Sequence, residues 1–204
     1  MSRFLHNREN TPLFIAAAVA LAAGLAWLSP AEATLGNAVK LVYVHAALMW
    51  VGFGLLTLGG LAGATFLLWR KEALILWSTG CSVMGLALLI GTGILGTVTA
   101  KITWGAVFWT EPRLMMLGQI LLVGLAAFFS FRLSGSKVVA GVANLCLAIV
   151  AWVLVLRTEK VIHPDSPIFA SDSAAIKIFP LLITVMIAIA ALLAIRYWVS
   201  GDRS

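Results

Sequence analysis

The chain has 204 residues, of which 62% are hydrophobic and only 11% charged, and its mean hydropathy is +1.05. Water-soluble domains are about half apolar and about a quarter charged, so a soluble globular fold is excluded and the bilayer must be the solvent. The formal net charge is +6, yet the basic residues sit singly or in pairs between apolar segments. That pattern excludes a nucleic-acid-binding patch and marks them as topology signals.

Six apolar runs follow in chain order, at 12–29, 41–69, 73–100, 113–131, 138–156 and 178–199, none with a charge in its middle. Each approaches or exceeds the ~20 residues that cross the hydrocarbon. Backbone polar groups have no water there and must pair within the segment. An all-α bundle of six transmembrane helices is predicted, forming a single transmembrane domain over 1–204.

The first run ends on Ser29-Pro30-Ala31-Glu32-Ala33, with Arg3 and Arg8 ahead of it. This resembles a signal-peptide cleavage site, but the run is long for such a segment, and a retained helix is expected. The second run, at about 1.5 Å per residue, measures about 43 Å against a core of ~30 Å, so its ends must tilt or emerge and His45 belongs at the interface. Gly59-x-x-x-Gly63 and Ala87-x-x-x-Gly91 predict close helix contacts. Cys81 and Cys146 both fall inside apolar runs with no CxxC or CxxCH. Covalent haem attachment, thiol redox chemistry and a cysteine zinc site are therefore not expected.

With the N-terminus inside, Arg3, Arg8, Arg70, Lys71, Arg132, Lys137, Arg196 and Arg203 lie on the inner side. Lys40, Lys101, Arg113, Arg157, Lys160 and Lys177 lie on the outer side. This slight excess, with short inner connections and long outer ones, predicts both termini in the cytoplasm.

Three unusual features then share the outer face: Lys40-Leu41-Val42-Tyr43-Val44-His45, the loop from Lys101 through Trp104, Gly105, Phe108 and Trp109 to Pro112, and the segment 157–177 that carries His163-Pro164. Two neutral imidazoles can each give a lone pair to a haem iron. Trp104, Phe108 and Trp109 offer flat apolar walls, and Lys40, Lys101, Arg113, Arg157 and Lys160 offer cations for propionates. Each feature also has a plainer reading. His45 reads as an interfacial polar residue, the tryptophans as an aromatic belt, His163 as a solvated loop residue, and Glu111 with Arg113 as a pair at a helix start. His6 has no assigned role.

Taken together, these stretches resemble the CcmC/CcsA-type membrane family that handles haem in cytochrome c assembly, over about residues 40–183. Lys40 through His45 is similar to the family's first-histidine motif, Trp104-Gly105 through Glu111-Pro112-Arg113-Leu114 to its tryptophan-rich segment, and Arg157 through His163-Pro164 to its second-histidine loop, with Pro180 in the last helix. The chain departs from the pattern as well. Aligned without gaps, Val107, Phe108 and Thr110 stand where the family has tryptophans, Glu111 stands for its aspartate, and Ala46-Ala47 follows the first histidine.

The resemblance implies haem b held non-covalently and transiently on the outer face of the cell inner membrane. His45 and His163 would ligate the iron, and Trp104, Gly105, Phe108, Trp109, Lys40 and Arg113 would line the site. It also implies presentation to a haem chaperone or apocytochrome c, beside an ABC-type exporter and small membrane subunits. The apolar segments hold no evident nucleophile or acid–base pair, so transfer is expected rather than a conventional reaction. Two other classes stay open: a bis-histidine cytochrome b electron-transfer subunit, and a cofactor-free transporter or structural membrane subunit.

Overall fold

The computed structural model describes residues 8–159 and 171–201. A short 3-10 turn, Arg8–Asn10, leads into α1 (Thr11–Leu28), followed by α2 (Val39–Trp69), α3 (Glu72–Trp104), α4 (Pro112–Ser134), α5 (Lys137–Arg157) and α6 (Ala174–Gly201). All six are long and apolar enough to cross a membrane, and the described residues form no strand beyond one isolated bridge between Glu32 and Gly36. The protein is a multi-pass, all-α membrane protein.

Local sequence sets where the helices stop. Pro112 occupies the first turn of α4, and the Glu111 carboxylate accepts the Leu114 N–H at 2.8 Å. That covers one of the donors a helix start leaves unsatisfied. Arg70 (φ 55°) and Gly135 (φ 61°) close α2 and α4 in the left-handed conformation, so only residues 70–71 and 135–136 join α2 to α3 and α4 to α5. At that end Lys137 pairs with Glu72. The connections at the opposite end, 29–38, 105–111 and 158–173, are longer.

The antiparallel pair α2–α3 is the centre of the bundle. α5 packs on α2 and α4 on α5 to one side; α6 packs on α2 and α3 to the other and carries α1. Glycines permit the closest approaches. A Cβ at Gly59 would stand 2.5 Å from Ser82 Oγ, one at Gly60 2.5 Å from Ala148 Cβ, and one at Gly63 2.7 Å from the Gly141 carbonyl oxygen. Gly59-x-x-x-Gly63 is thus a contact stripe facing both α3 and α5. The same pattern at Ala87-x-x-x-Gly91 is not: Ala87 is exposed, and a Cβ at Gly91 would make only ordinary contact with Leu48. Beside the first stripe, Asn144 donates to Ser78 Oγ at 2.9 Å and Ser78 donates to the Gly59 carbonyl at 2.7 Å, linking α5, α3 and α2.

Exposed tryptophans mark depth. Trp50 and Trp69 on α2 are 55% and 66% exposed and stand about 28 Å apart along the axis at ~1.5 Å per residue. That matches a hydrocarbon core of ~30 Å bounded by aromatic belts. The part of α2 before Trp50 therefore emerges at the end that carries the long connections. α3, with 33 residues, is about 50 Å long and projects at that same end, well past the core.

Candidate functional site

The Lys40-to-His45 motif forms the first turns of α2, and its residues turn to three different neighbours. Val39, Tyr43 and Ala47 recur at helical spacing and are fully buried against α1 and α6, in a cluster with Leu25, Ala26, Ile176 and Ile183. Lys40 reaches back instead. Its Nζ donates to the Trp27 carbonyl at 2.7 Å and lies 5.9 Å over the Trp27 ring, a cation at the C-terminal, negative end of the α1 dipole. His45 points towards α3.

There His45 is half-buried, with Nδ1 3.0 Å from the backbone carbonyl oxygen of Thr92. A carbonyl only accepts, so Nδ1 carries the proton and the lone pair of the neutral ring lies on Nε2. The Thr92 hydroxyl is turned away and donates to the Leu88 carbonyl at 3.0 Å. The ring rests on Gly96, where a Cβ would stand 2.8 Å from Cε1 and 3.1 Å from Nδ1. Along α2, His45 lies about 7.5 Å beyond Trp50, towards the end of the bundle that carries the long connections.

The aromatic loop begins later than its sequence implies. Lys101 through Trp104 continue α3 rather than open the loop, and Gly105 ends the helix at φ 74°, a conformation that favours glycine. Lys101 Nζ donates to the Gly105 carbonyl at 2.7 Å, so this cation too caps a helix end. Trp104 and Phe108 meet edge-on, with ring centroids 6.4 Å apart. The Glu111 N–H donates to the Phe108 carbonyl at 3.1 Å and closes the turn into α4. Trp104 is half-exposed and Trp109 is 73% exposed, so the loop presents an aromatic surface outward. Arg113, half-buried, follows in the first turn of α4.

The structure thus brings Trp104, Gly105, Phe108, Trp109 and Arg113 together around one turn. His45 sits at the same end of the bundle but deeper, since Gly96 lies about 12 Å below Trp104 along α3. His163 lies outside the described residues. Among the described residues no three His, Cys, Asp or Glu side chains gather into a metal cluster. An imidazole held by a carbonyl, exposed aromatic faces and an arginine in the adjoining first turn of α4 are residue types that suit a planar, apolar metal complex with acidic substituents.

Sequence reading missed Thr92 and Gly96. Their only signal is the small-residue stretch Gly91-Thr92-Gly93-Ile94-Leu95-Gly96, which does not reveal which glycine faces a histidine.

The connection between α1 and α2 is also ordered. Glu32 Oε2 accepts the Thr34 and Leu35 N–H groups at 2.8 and 2.9 Å, and the Gly36 N–H donates to the Glu32 carbonyl at 2.7 Å. These amides, that of Leu35 foremost, outweigh partial desolvation and hold the Glu32 carboxyl below its ordinary value of 4.5. Ala31-Glu32-Ala33 is therefore folded into a compact turn.

The chain is similar to the heme exporter protein C of Haemophilus influenzae, with 24% identity over 204 residues, covering 95% of this chain and 82% of that protein. No family model matches it.

Proposed function

We propose, from membership of the CcmC-type cytochrome c assembly family that this likeness supports, that the protein serves cytochrome c maturation by holding haem at the loop end of its bundle and presenting it to an acceptor. The observation that carries this reading is the shared placement of His45 and the aromatic loop. The His45 ring is seated on α3 with its Nδ1 on the Thr92 carbonyl, and Trp104, Phe108 and Trp109 stand exposed beyond it on the same helix and its connection.

In this reading haem b is non-covalent cargo. His45 supplies one axial nitrogen, and His163, on the segment between α5 and α6, supplies the second. Trp104, Phe108 and Trp109 provide faces for the porphyrin, Gly105 the turn that presents them, and Arg113 a cation for a propionate. Lys40 acts indirectly, by tying the start of α2 to the end of α1. The loop end faces the periplasm of a cell inner membrane. A haem chaperone or apocytochrome c docks there, beside an exporter of the ABC type and small membrane subunits. The helices provide position and exclude lipid, and the protein moves a group without breaking covalent bonds.

A chase experiment tests this reading against a permanent electron-transfer haem. Purified protein loaded with ferric haem is mixed with excess apomyoglobin as a generic acceptor. Release within minutes supports the carrier reading; haem retained for many hours contradicts it.

A further inference from the structure

We propose that Gly96 is a positioning residue for His45. Its missing side chain forms the seat that lets the Thr92 carbonyl select which imidazole nitrogen carries the proton. This deepens the haem-holding reading above and rests on it.

Two observations meet at this point. A Cβ on Gly96 would lie 2.8 Å from His45 Cε1, closer than such atoms approach, and a tight 3.1 Å from Nδ1, so a side chain there displaces the ring. The Nδ1–carbonyl distance of 3.0 Å exists only while the ring stays on that seat. The α2–α3 pair is close elsewhere for a different reason. At Gly52, Gly59 and Gly85 the added Cβ would strike α2 or α3 packing groups, whereas at Gly96 the three nearest atoms all belong to the histidine ring. Thr92 and Gly96 are one helical turn apart, so a single stretch of α3 provides both the acceptor and the space.

The consequence is specific. A backbone carbonyl on Nδ1 fixes the tautomer and ring plane and raises the basicity of Nε2, the usual arrangement behind a metal-bound histidine. Losing such a partner typically costs about 10–100-fold in metal affinity. Gly91 is the natural control on the same helix, because a Cβ there makes only a 3.5 Å contact with Leu48.

The test uses full-length protein in lipid nanodiscs, titrated with ferric haem. Gly96→Ala is expected to weaken haem binding about tenfold or more and to shift the absorption band, while Gly91→Ala stays within about twofold. Free imidazole is expected to restore the band to His45→Gly but not to the double variant His45→Gly/Gly96→Ala, whose seat is closed. Unchanged binding and band in Gly96→Ala, or equal rescue in both backgrounds, overturns the inference while leaving the haem reading intact. A wild-type protein that binds no haem overturns the haem reading itself.

A measurement on haem-free wild-type protein needs no variant that might misfold. In 15N-histidine spectra, with the His45 signal assigned by its loss in His45→Gln, the inference expects the Nδ1-protonated tautomer. The Nε2-protonated tautomer contradicts it.

Discussion

The Nδ1 of His45 and the backbone carbonyl oxygen of Thr92 lie 3.0 Å apart, joining the emerging start of α2 to α3. Because the acceptor is main chain, the threonine side chain is dispensable for it; its hydroxyl is already engaged with the Leu88 carbonyl. Thr92→Ala should therefore leave haem affinity within about twofold of wild type, in contrast to the roughly 10–100-fold typical of losing a ligand's supporting partner. Titration of the purified variant checks this, and a large loss would move the role from the carbonyl to the hydroxyl.

The contact stripe of α2 should resist any added volume. A Cβ at Gly63 would stand 2.7 Å from the Gly141 carbonyl oxygen and 3.0 Å from Ser78 Oγ, whereas Gly54 has nothing within 4 Å. Gly63→Ala is expected to destabilise the bundle by about 1–3 kcal/mol through overpacking, and Gly54→Ala to leave it unchanged. Thermal unfolding in detergent distinguishes the two. Equal Tm values would contradict the packing described.

Asn144 links three helices through Ser78 and the Gly59 carbonyl. In membranes such interhelical bonds contribute about 0.6 kcal/mol on average and up to about 1.7. Asn144→Leu should cost a comparable amount, and a double-mutant cycle with Ser78→Ala should return a positive coupling. Additive losses would mean that the two side chains do not act together.

The Glu32 turn gives a pH dependence. Its folded carboxyl lies below the ordinary value of 4.5 because the Leu35 and Thr34 amides bind the ionised form. The stabilisation is thus fully present above about 4.5 and is lost as pH falls through the lower, folded value. Hydrogen exchange at the Thr34 and Leu35 amides should accelerate, relative to the intrinsic rate, only in that acidic window. Glu32→Gln should abolish most of the pH dependence. Protection that persists unchanged through the window would exclude the carboxylate as the clasp.

The six helices were legible because the bilayer forces hydropathy onto any segment that crosses it. The placement of His45 near the start of a long helix was legible too. The partners of the motif residues were not. Lys40 looks from its sequence like a free cation beside a histidine, but it caps α1 at Trp27, a meeting that depends on how the 29–38 connection folds. Gly59-x-x-x-Gly63 and Ala87-x-x-x-Gly91 are alike as patterns, yet only the first sits at a close backbone approach, while Ala87 is exposed and Gly91 leaves ordinary contact distance to Leu48, since small residues carry no hydropathy signal for direction. Lys101 through Trp104 read as loop because a charge and an aromatic cluster end the apolar run, although α3 continues past the core where polar residues are tolerated. The gathering of Lys40, His45, Trp104, Gly105, Phe108, Trp109 and Arg113 towards one end of the bundle was legible from the order of the helices. The Thr92–Gly96 seat was not, because a carbonyl and a missing side chain leave no mark in sequence.

The central claim is that His45 helps hold haem at the loop end of the bundle, with His163 as its counterpart. The most direct test is the absorption spectrum of purified protein reconstituted with ferric haem, compared with His45→Ala and His163→Ala, each checked for folding by its elution volume and helical circular dichroism. A six-coordinate, low-spin haem band is expected in the wild type and is lost or converted to a high-spin form in each variant. A wild type with no band, or a band that neither substitution alters, would contradict the claim.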